Sequence, residues 1–523
     1  MIQASRRDFF ILGGMGVAAV SMPALAQSGE PAIDAIVRKH LDAFAIPGAS
    51  VAIIRPGQPV FTRGYGVREM GKPALVDSDT QFAIASNSKS FTGALLAMLV
   101  EDKKIGWDEP VVTYLPEFKM SDPEVTRMVT VRDLLVHRSG LALGAGDLMQ
   151  FPTSDRTAAE VLNGLQYLPL ARGFRSGYAY DNILYIVAGL LIERVSGQSW
   201  GTNVRDRIFR PLGMRSLPFI DPANQPNVAG RHARLGPPVR GIGPQRVIAP
   251  DEGQLVAPAG GIQASARDIA RWLEVQLGKG QVSGGPRLWS EAQAKEMWTP
   301  QVITSSGPGP SADEPTRSVM SGYALGWFVQ QYRSRRLIAH SGGLSGQVTH
   351  TAFFPEDGIA VAAFTNAEDG YGAAALRNAL LDHLVGAPPF DWVAWGKKKV
   401  AEGENEVRAA LAGGGMVAKP GGPTLPLDAY AGRYRDRWYG DVVVARRADG
   451  LHIDFTRSPP FKSRLEPFGP DTFRTHFPEG AGEDALVTFV VEGGKTDRIT
   501  MKALSPLADF SYDFHDLAFE RVK

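Results

Sequence analysis

The chain changes its hydrophobic pattern once, near residue 427, and that change limits what it can fold into. Before it, helical and strand signals mingle. "GASVAIIRPGQPVFTRGYGV" (Gly48 to Val67) reads as two strands around a Pro-Gly turn. "SFTGALLAMLVEDKKI" carries Phe91, Leu95, Met98 and Leu99 at helical spacing. "ILYIVAGLLIERVSG" is an apolar helix closed by Gly197. "SARDIARWLEVQLGKG" opens with Ser265 and Asp268 as a capping pair and ends at Gly278. "HTAFFPEDGIAVAAFTN" (His350 to Asn366) reads as a hairpin, and a last helix is expected over roughly Gly372 to Leu384. Strands and helices without strict alternation argue for an α+β fold rather than a doubly wound sheet. After residue 427, "YAGRYRDRWYGDVVVARRADGLHIDF", "DALVTFVVEGG" and "RITMKAL" are short alternating strands split by glycine turns. They predict a small all-β domain, a sandwich or a barrel. Residues 386–427 read as a linker whose two ends are rich in Pro and Gly, with Trp392 and Trp395 suggesting that part of it packs down. A chain of 523 residues is in any case too long for one ordinary domain.

The first 26 residues read as an export signal. Paired arginines sit in Ser5-Arg6-Arg7-Asp8-Phe9-Phe10, Phe9 to Val20 is mildly apolar, and Ala24-Leu25-Ala26 is a small-residue cleavage pattern. A membrane anchor is the alternative, but the run is about twelve residues and a span needs about twenty. No later apolar run is long enough to span, so the mature chain is expected to be soluble and periplasmic. The 56 basic and 55 acidic side chains leave a net charge of +1. That balance offers nothing to hold nucleic acid or an anionic membrane surface. There is no cysteine, which removes disulfides, thiolate chemistry and Cys-ligated metal.

Three short motifs carry the chemistry. Ser86-Asn87-Ser88-Lys89 is the only S-x-x-K in the chain, Tyr180-Asp181-Asn182 the only Y-x-N, and His340-Ser341-Gly342 the only H-x-G. Any one of them alone is weak, and Ser86 alone could be a plain helix cap. Together, in this order and well apart, the sequence resembles the serine β-lactamase and penicillin-binding protein superfamily. The match is to its class C-like branch of D-Ala-D-Ala carboxypeptidases, D-aminopeptidases, related peptidases and esterases. "VTVRDLLVHRSGL", "PLGM", "APAGGIQASARDIARW" and "YALGW" look like structural signatures of that branch.

The resemblance spans roughly residues 31 to 385. It implies a β-lactamase/transpeptidase-like domain, an antiparallel sheet flanked by helices with a helical subdomain. Residues 428–523 resemble the lipocalin-like module that some peptidases of the branch carry, a module that could cap the cleft or join subunits.

By this likeness Ser86 is the nucleophile, at a helix start that favours negative charge. Lys89, at i+3, lies on the same face and within reach as the base. Its ordinary pKa near 10.4 would have to fall by about three units for that work. Tyr180 would pass a proton from Ser86 to the leaving group and later activate water. Asn182 would bond the substrate amide and Lys89; the plainer reading is a turn Tyr followed by a helix-capping Asn. His340 stands where much of the superfamily has lysine, to protonate a leaving group or steer a carboxylate. Gly342 would let substrate backbone approach its strand, and the N–H groups of Ser86 and Gly343 would form the oxyanion hole.

Rival motifs fail on context. Gly197-Gln198-Ser199-Trp200-Gly201 matches a nucleophile elbow, but a helix ends at Gly197, so Ser199 is expected to cap the next helix. His137 and His350 lack metal-ligand spacing, and no cofactor or metal is implied. The expected function is a serine hydrolase acting through an acyl-enzyme on peptide or amide bonds. The alternatives are an esterase on short acyl esters or a weak β-lactamase or penicillin-binding protein. A homo-oligomer is compatible with all of these.

Overall fold

The computed structural model describes residues 30–221, 225–250, 253–414, 416–478 and 481–523. The export signal expected at 1–26 lies outside the described residues. Eight strands form one antiparallel sheet, in the spatial order Phe61–Gly66, Gly48–Ile54, Ile359–Thr365, Gln347–Phe354, Arg335–Leu344, Phe328–Tyr332, Met320–Tyr323 and Val302–Ser306. The expected hairpin is the pair Gln347–Phe354 and Ile359–Thr365, in register from Phe354 opposite Ile359 to Val348 opposite Thr365.

The strand Gly48–Ile54 is buried along its whole length because each face meets a core. Ala49, Val51 and Ile53 point to helices Pro31–Phe44 and Gly370–Leu384, while Ala52 and Ile54 point to the opposite layer. That second layer holds helix Ser88–Glu101, buried at every residue from Ser88 to Leu99. A helix apolar all round belongs at the centre of a large domain. Helices Ile183–Ser196 and Ala266–Leu277 pack around it. Gly197 closes the first of these in a left-handed conformation, φ 72°. Ser265 caps the second by accepting from Asp268 N–H at 3.1 Å. The expected reciprocal bond is absent, because the Asp268 carboxylate instead takes Arg215 N–H and Ser216 Oγ at 2.9 and 3.0 Å.

Part of the segment read as a linker is a 21-residue helix, Trp392–Ala412. Its charged sequence hides the fact, since only Trp392, Gly396 and Val407 are buried. The helix lies along Gly370–Leu384, and Trp392 Nε1 donates to Asp382 Oδ2 at 2.9 Å. Gly396 is needed where the Phe44 ring passes, because a Cβ there would stand 2.6 Å from it.

Beyond it, eight antiparallel strands between Gly432 and Arg521 form a closed barrel, the first pairing with the last at Tyr434 and Arg521. Closure leaves no open sheet edge. The barrel interior and the layer of helix Ser88–Glu101 belong to one continuous apolar cluster. The junction is also polar. Asp155 N–H donates to Arg457 O at 3.1 Å, and the Arg156 guanidinium lies 4.5 Å over the Tyr439 ring. Residues 504–517, between the last two barrel strands, reach back to the catalytic layer.

Trp392→Ala should lower the stability of this region by about 3–5 kcal/mol, the usual cost of emptying a buried tryptophan site. A fall in the urea midpoint, read by tryptophan fluorescence, is the expected outcome. Trp392 packs in the cluster on the face of the sheet opposite helix Ser88–Glu101, so that helix should keep its packing in the folded fraction.

Candidate active site

Ser86 sits in a single 3-10 turn, Ala85–Asn87, that runs directly into helix Ser88–Glu101. Ala85 is held at φ 49°, a conformation non-glycine residues adopt only when their surroundings enforce it. The enforcement comes from Asn87. Its Nδ2 donates to Ile84 O and Thr349 Oγ1 at 3.1 and 2.9 Å, and its Oδ1 accepts from Thr351 Oγ1 at 2.6 Å. The turn is thereby tied to the sheet.

Lys89 lies one helical turn beyond and is completely buried. Its Nζ is 3.1 Å from Ser86 Oγ, 2.6 Å from Asn182 Oδ1 and 2.8 Å from Ala259 O. It also stands 4.8 and 5.1 Å over the rings of Tyr180 and Tyr185. Among the described residues no carboxylate bonds it directly. Burial pushes its pKa down to about 7, and the more distant charges of Asp147 and Asp181 pull it partly back.

Tyr180 closes one side of the serine. Its ring rests 4.2 Å from the His137 ring, and its carbonyl accepts from Gly144 N–H at 2.9 Å. Burial raises its pKa well above 10, and a hydrogen bond with Ser86 only partly offsets that. The phenol is therefore protonated at rest. Asn182 does not cap its helix: the bond to Leu184 N–H comes from Asp181 Oδ1, at 3.3 Å. The Asn182 amide is spent entirely in the site, its oxygen on Lys89 and its nitrogen donating to Asp147 Oδ2 at 2.8 Å.

His340 and Gly343 come from the strand Arg335–Leu344, whose pairing with Phe328–Tyr332 ends at Ala339. From His340 onward this edge of the strand is turned to the Ser86 turn. The roles expected of His340 and Gly342 need correction. His340 Nδ1 faces Ser341 O at 2.6 Å, and since a carbonyl only accepts, Nδ1 carries the proton. Nε2 then accepts from Tyr323 O–H at 2.9 Å. With its pKa pushed to about 3 by burial and the nearby Lys89, the imidazole is neutral and has no free nitrogen. It cannot steer a carboxylate by charge.

Gly342 is not where substrate approaches. A Cβ there would fall 2.2 Å from Ile84 O, so the missing side chain makes room for the Ser86 turn itself. At Gly343 a Cβ would meet nothing within 4 Å, and this residue lines the open cavity.

That cavity has a volume of about 590 Å³. Ser86, Tyr180, Asn182, His340 and Gly343 line one end of it, and Leu507, Phe510 and Ser511 of the barrel line another. Phe510 meets Tyr180 edge-on at 5.7 Å. Sequence reasoning missed Asp147, Tyr323 and the barrel residues. Tyr323 opens the "YALGW" signature, but nothing in the residue type of Asp147 or Ser511 marks it. Ser199, the rival serine, caps helix Trp200–Val204 by accepting from Thr202 N–H at 3.1 Å.

The family model described as Beta-lactamase matches residues 33–422, and one described as a domain of unknown function, DUF3471, matches 418–521. The chain is 30% identical over 435 residues to Unguisins hydrolase ungD' of Aspergillus campestris, covering 78% of this chain and 76% of that protein. It shares its fold with the D-amino acid amidase of Ochrobactrum anthropi SV3, at TM-score 0.55, 24% identity and coverage of 68% and 98%. It also shares it with the octameric penicillin-binding protein homologue of Pyrococcus abyssi, at TM-score 0.55, 20% identity and coverage of 91% and 98%. With the match running through the whole sheet and both layers that hold Ser86, Lys89, Tyr180 and His340, the chain belongs to the beta-lactamase family.

Proposed function

We propose that the protein is a serine hydrolase that cleaves amide bonds of small peptides or amino-acid amides through an acyl-enzyme on Ser86. The observation that carries this is Lys89 Nζ at 3.1 Å from Ser86 Oγ, in surroundings that bring its pKa to about 7. A neutral amine has two protons and one lone pair. With the protons on Asn182 Oδ1 and Ala259 O, the lone pair points at the Ser86 hydroxyl and can take its proton. Oγ then attacks the substrate carbonyl, and the N–H groups of Ser86 and Gly343 receive the oxyanion. Tyr180, protonated and bonded to Ser86, hands a proton to the departing nitrogen and is refilled from Lys89. Water repeats the sequence on the acyl ester and frees Ser86.

Two features favour small amine-bearing substrates. A cavity of about 590 Å³, walled by the barrel, fits a few residues rather than a folded chain. Its charged lining is Arg240 against Glu368, Glu483 and Asp509. Arg240 is already paired with Glu368 at 2.8 and 2.6 Å. Burial raises Glu483 to about 7 and Asp509 in the same direction, so a protonated substrate amine would find carboxyls that gain from its charge. The names of the relatives, an unguisins hydrolase and a D-amino acid amidase, agree with amide chemistry. Export through the signal read at 1–26 would place this activity in the periplasm.

Incubation with a mixed panel of L- and D-residue peptides and amino-acid amides, followed by mass spectrometry, tests the reading. Wild type should cleave members of the panel and Ser86→Ala none, with unchanged circular dichroism; cleavage by the alanine variant would sink the mechanism. For N-acetylated substrates, which do not use Glu483, kcat/KM should rise about tenfold per pH unit below about 7 and flatten above it, because only neutral Lys89 serves as base. Glu483→Gln should raise KM for substrates with a free amine roughly tenfold and leave their N-acetylated forms unaffected, a contrast that steady-state kinetics on both series will read.

A further inference from the structure

A chain of hydrogen bonds leaves the active site behind Lys89 and ends in the barrel. Lys89 Nζ donates to Asn182 Oδ1 at 2.6 Å, and Asn182 Nδ2 donates to Asp147 Oδ2 at 2.8 Å. Ser511 Oγ, from the barrel, donates to that same Oδ2 at 2.8 Å, while Gln150 Nε2 donates to Asp147 Oδ1 at 2.8 Å. Asp147 is fully buried. Next to it, Gly146 N–H donates to Asp513 Oδ2 at 2.9 Å, a second tie to the same barrel segment.

The order of donors and acceptors matters. An amide offers oxygen on one side and N–H on the other. A carboxylate only accepts, so Asp147 obliges Asn182 to turn its nitrogen away from Lys89 and its oxygen toward it. We infer that Asp147, held in place by Ser511 of the barrel, is a positioning residue that orients Asn182 and sets the basicity of Lys89, so that the barrel is a working part of the active site.

The surroundings leave the effect a clear sign. Facing Lys89 are Asp147 and Asp181, which raise its pKa, the neutral His137 and His340, and the rings of Tyr180 and Tyr185. Facing Asp147 are Lys89, the Tyr180 phenol and the buried Asp513. Burial raises Asp147 itself to about 7, so its carboxylate carries charge from about that pH upward, and removing that charge lowers the pKa of Lys89. Removing the Ser511 hydroxyl makes the carboxylate harder to keep ionised, which works in the same direction.

Asp147→Asn suits the test. Its oxygen can still accept from Asn182 and Ser511. Its new N–H₂ can meet Gln150 Oε1, which is buried without a partner, once that amide turns over. The inference rests on Ser86 and Lys89 acting as proposed, so the readout is the rate at which a fluorophosphonate probe labels Ser86, followed from pH 5 to 9, with Ser86→Ala as blank.

Wild type should label with an acid limb near 7. Asp147→Asn should move that limb to lower pH by at least half a unit, and Ser511→Ala by a smaller amount in the same direction. Ser511→Thr, which keeps the hydroxyl, should restore the wild-type limb. An Asp147→Asn limb that stays in place while the rate falls would make Asp147 merely structural, and a wild-type limb in Ser511→Ala would remove the barrel from the site. No labelling of wild type would instead overturn the proposed function. If Asp147→Asn does not fold, the Ser511 pair decides alone.

Discussion

Everything in this site follows from burying one amine. Taking Lys89 from its ordinary pKa of 10.5 to about 7 corresponds to roughly 5 kcal/mol of lost charge stabilisation. A carboxylate in direct contact would cancel that and leave a permanently charged lysine. The fold instead surrounds Nζ with a backbone carbonyl, an amide oxygen, a hydroxyl and two aromatic faces, and holds the acids one residue further away. This requires a helix buried on all sides. The sheet, the helical layer and the barrel can each be read as supplying part of that enclosure.

The same burial sorts three proton-carrying groups around Ser86. Desolvation disfavours whichever form is charged, so it acts with opposite sign on acids and bases. It drives Lys89 down to about 7 and His340 down to about 3, and it drives Tyr180 well above 10. At neutral pH one group is poised between forms, one is a fixed neutral imidazole and one is a fixed phenol. A single physical cause thus leaves Lys89 able to accept a proton and Tyr180 able to donate one. His340 and Tyr323 then serve as a neutral wall, joined to each other rather than to substrate.

What could be read from the chain beforehand was what is local. Ser86 and Lys89 are three residues apart on one helix, and Tyr180 and Asn182 flank one loop, so spacing alone places each pair together. The sheet hairpin and the alternation of the barrel strands were legible for the same reason. The partition between Gly342 and Gly343 was not, because it depends on which side of a strand the Ser86 turn passes. Helix Trp392–Ala412 was half hidden by its own composition, with three buried residues in an otherwise charged surface. Asp147 and Ser511 are 364 residues apart, and no pattern in either neighbourhood announces the bond between them.

That long-range bond changes how the barrel should be understood. A closed barrel cannot lend an edge strand to a neighbour, so what it offers the catalytic layer is a rigidly held loop. Phe510 lies against Tyr180, and its carbonyl comes so close to Gly144 that a Cβ there would stand 2.5 Å away. Tyr512 packs on Phe151 at 5.5 Å, Ser511 bonds Asp147, and Asp513 bonds Gly146. Four successive residues are thus fixed to the wall that carries Tyr180 and Asn182. The barrel therefore contributes less by touching substrate than by fixing the wall behind Lys89, where Ser511 holds Asp147 and Asp147 holds Asn182.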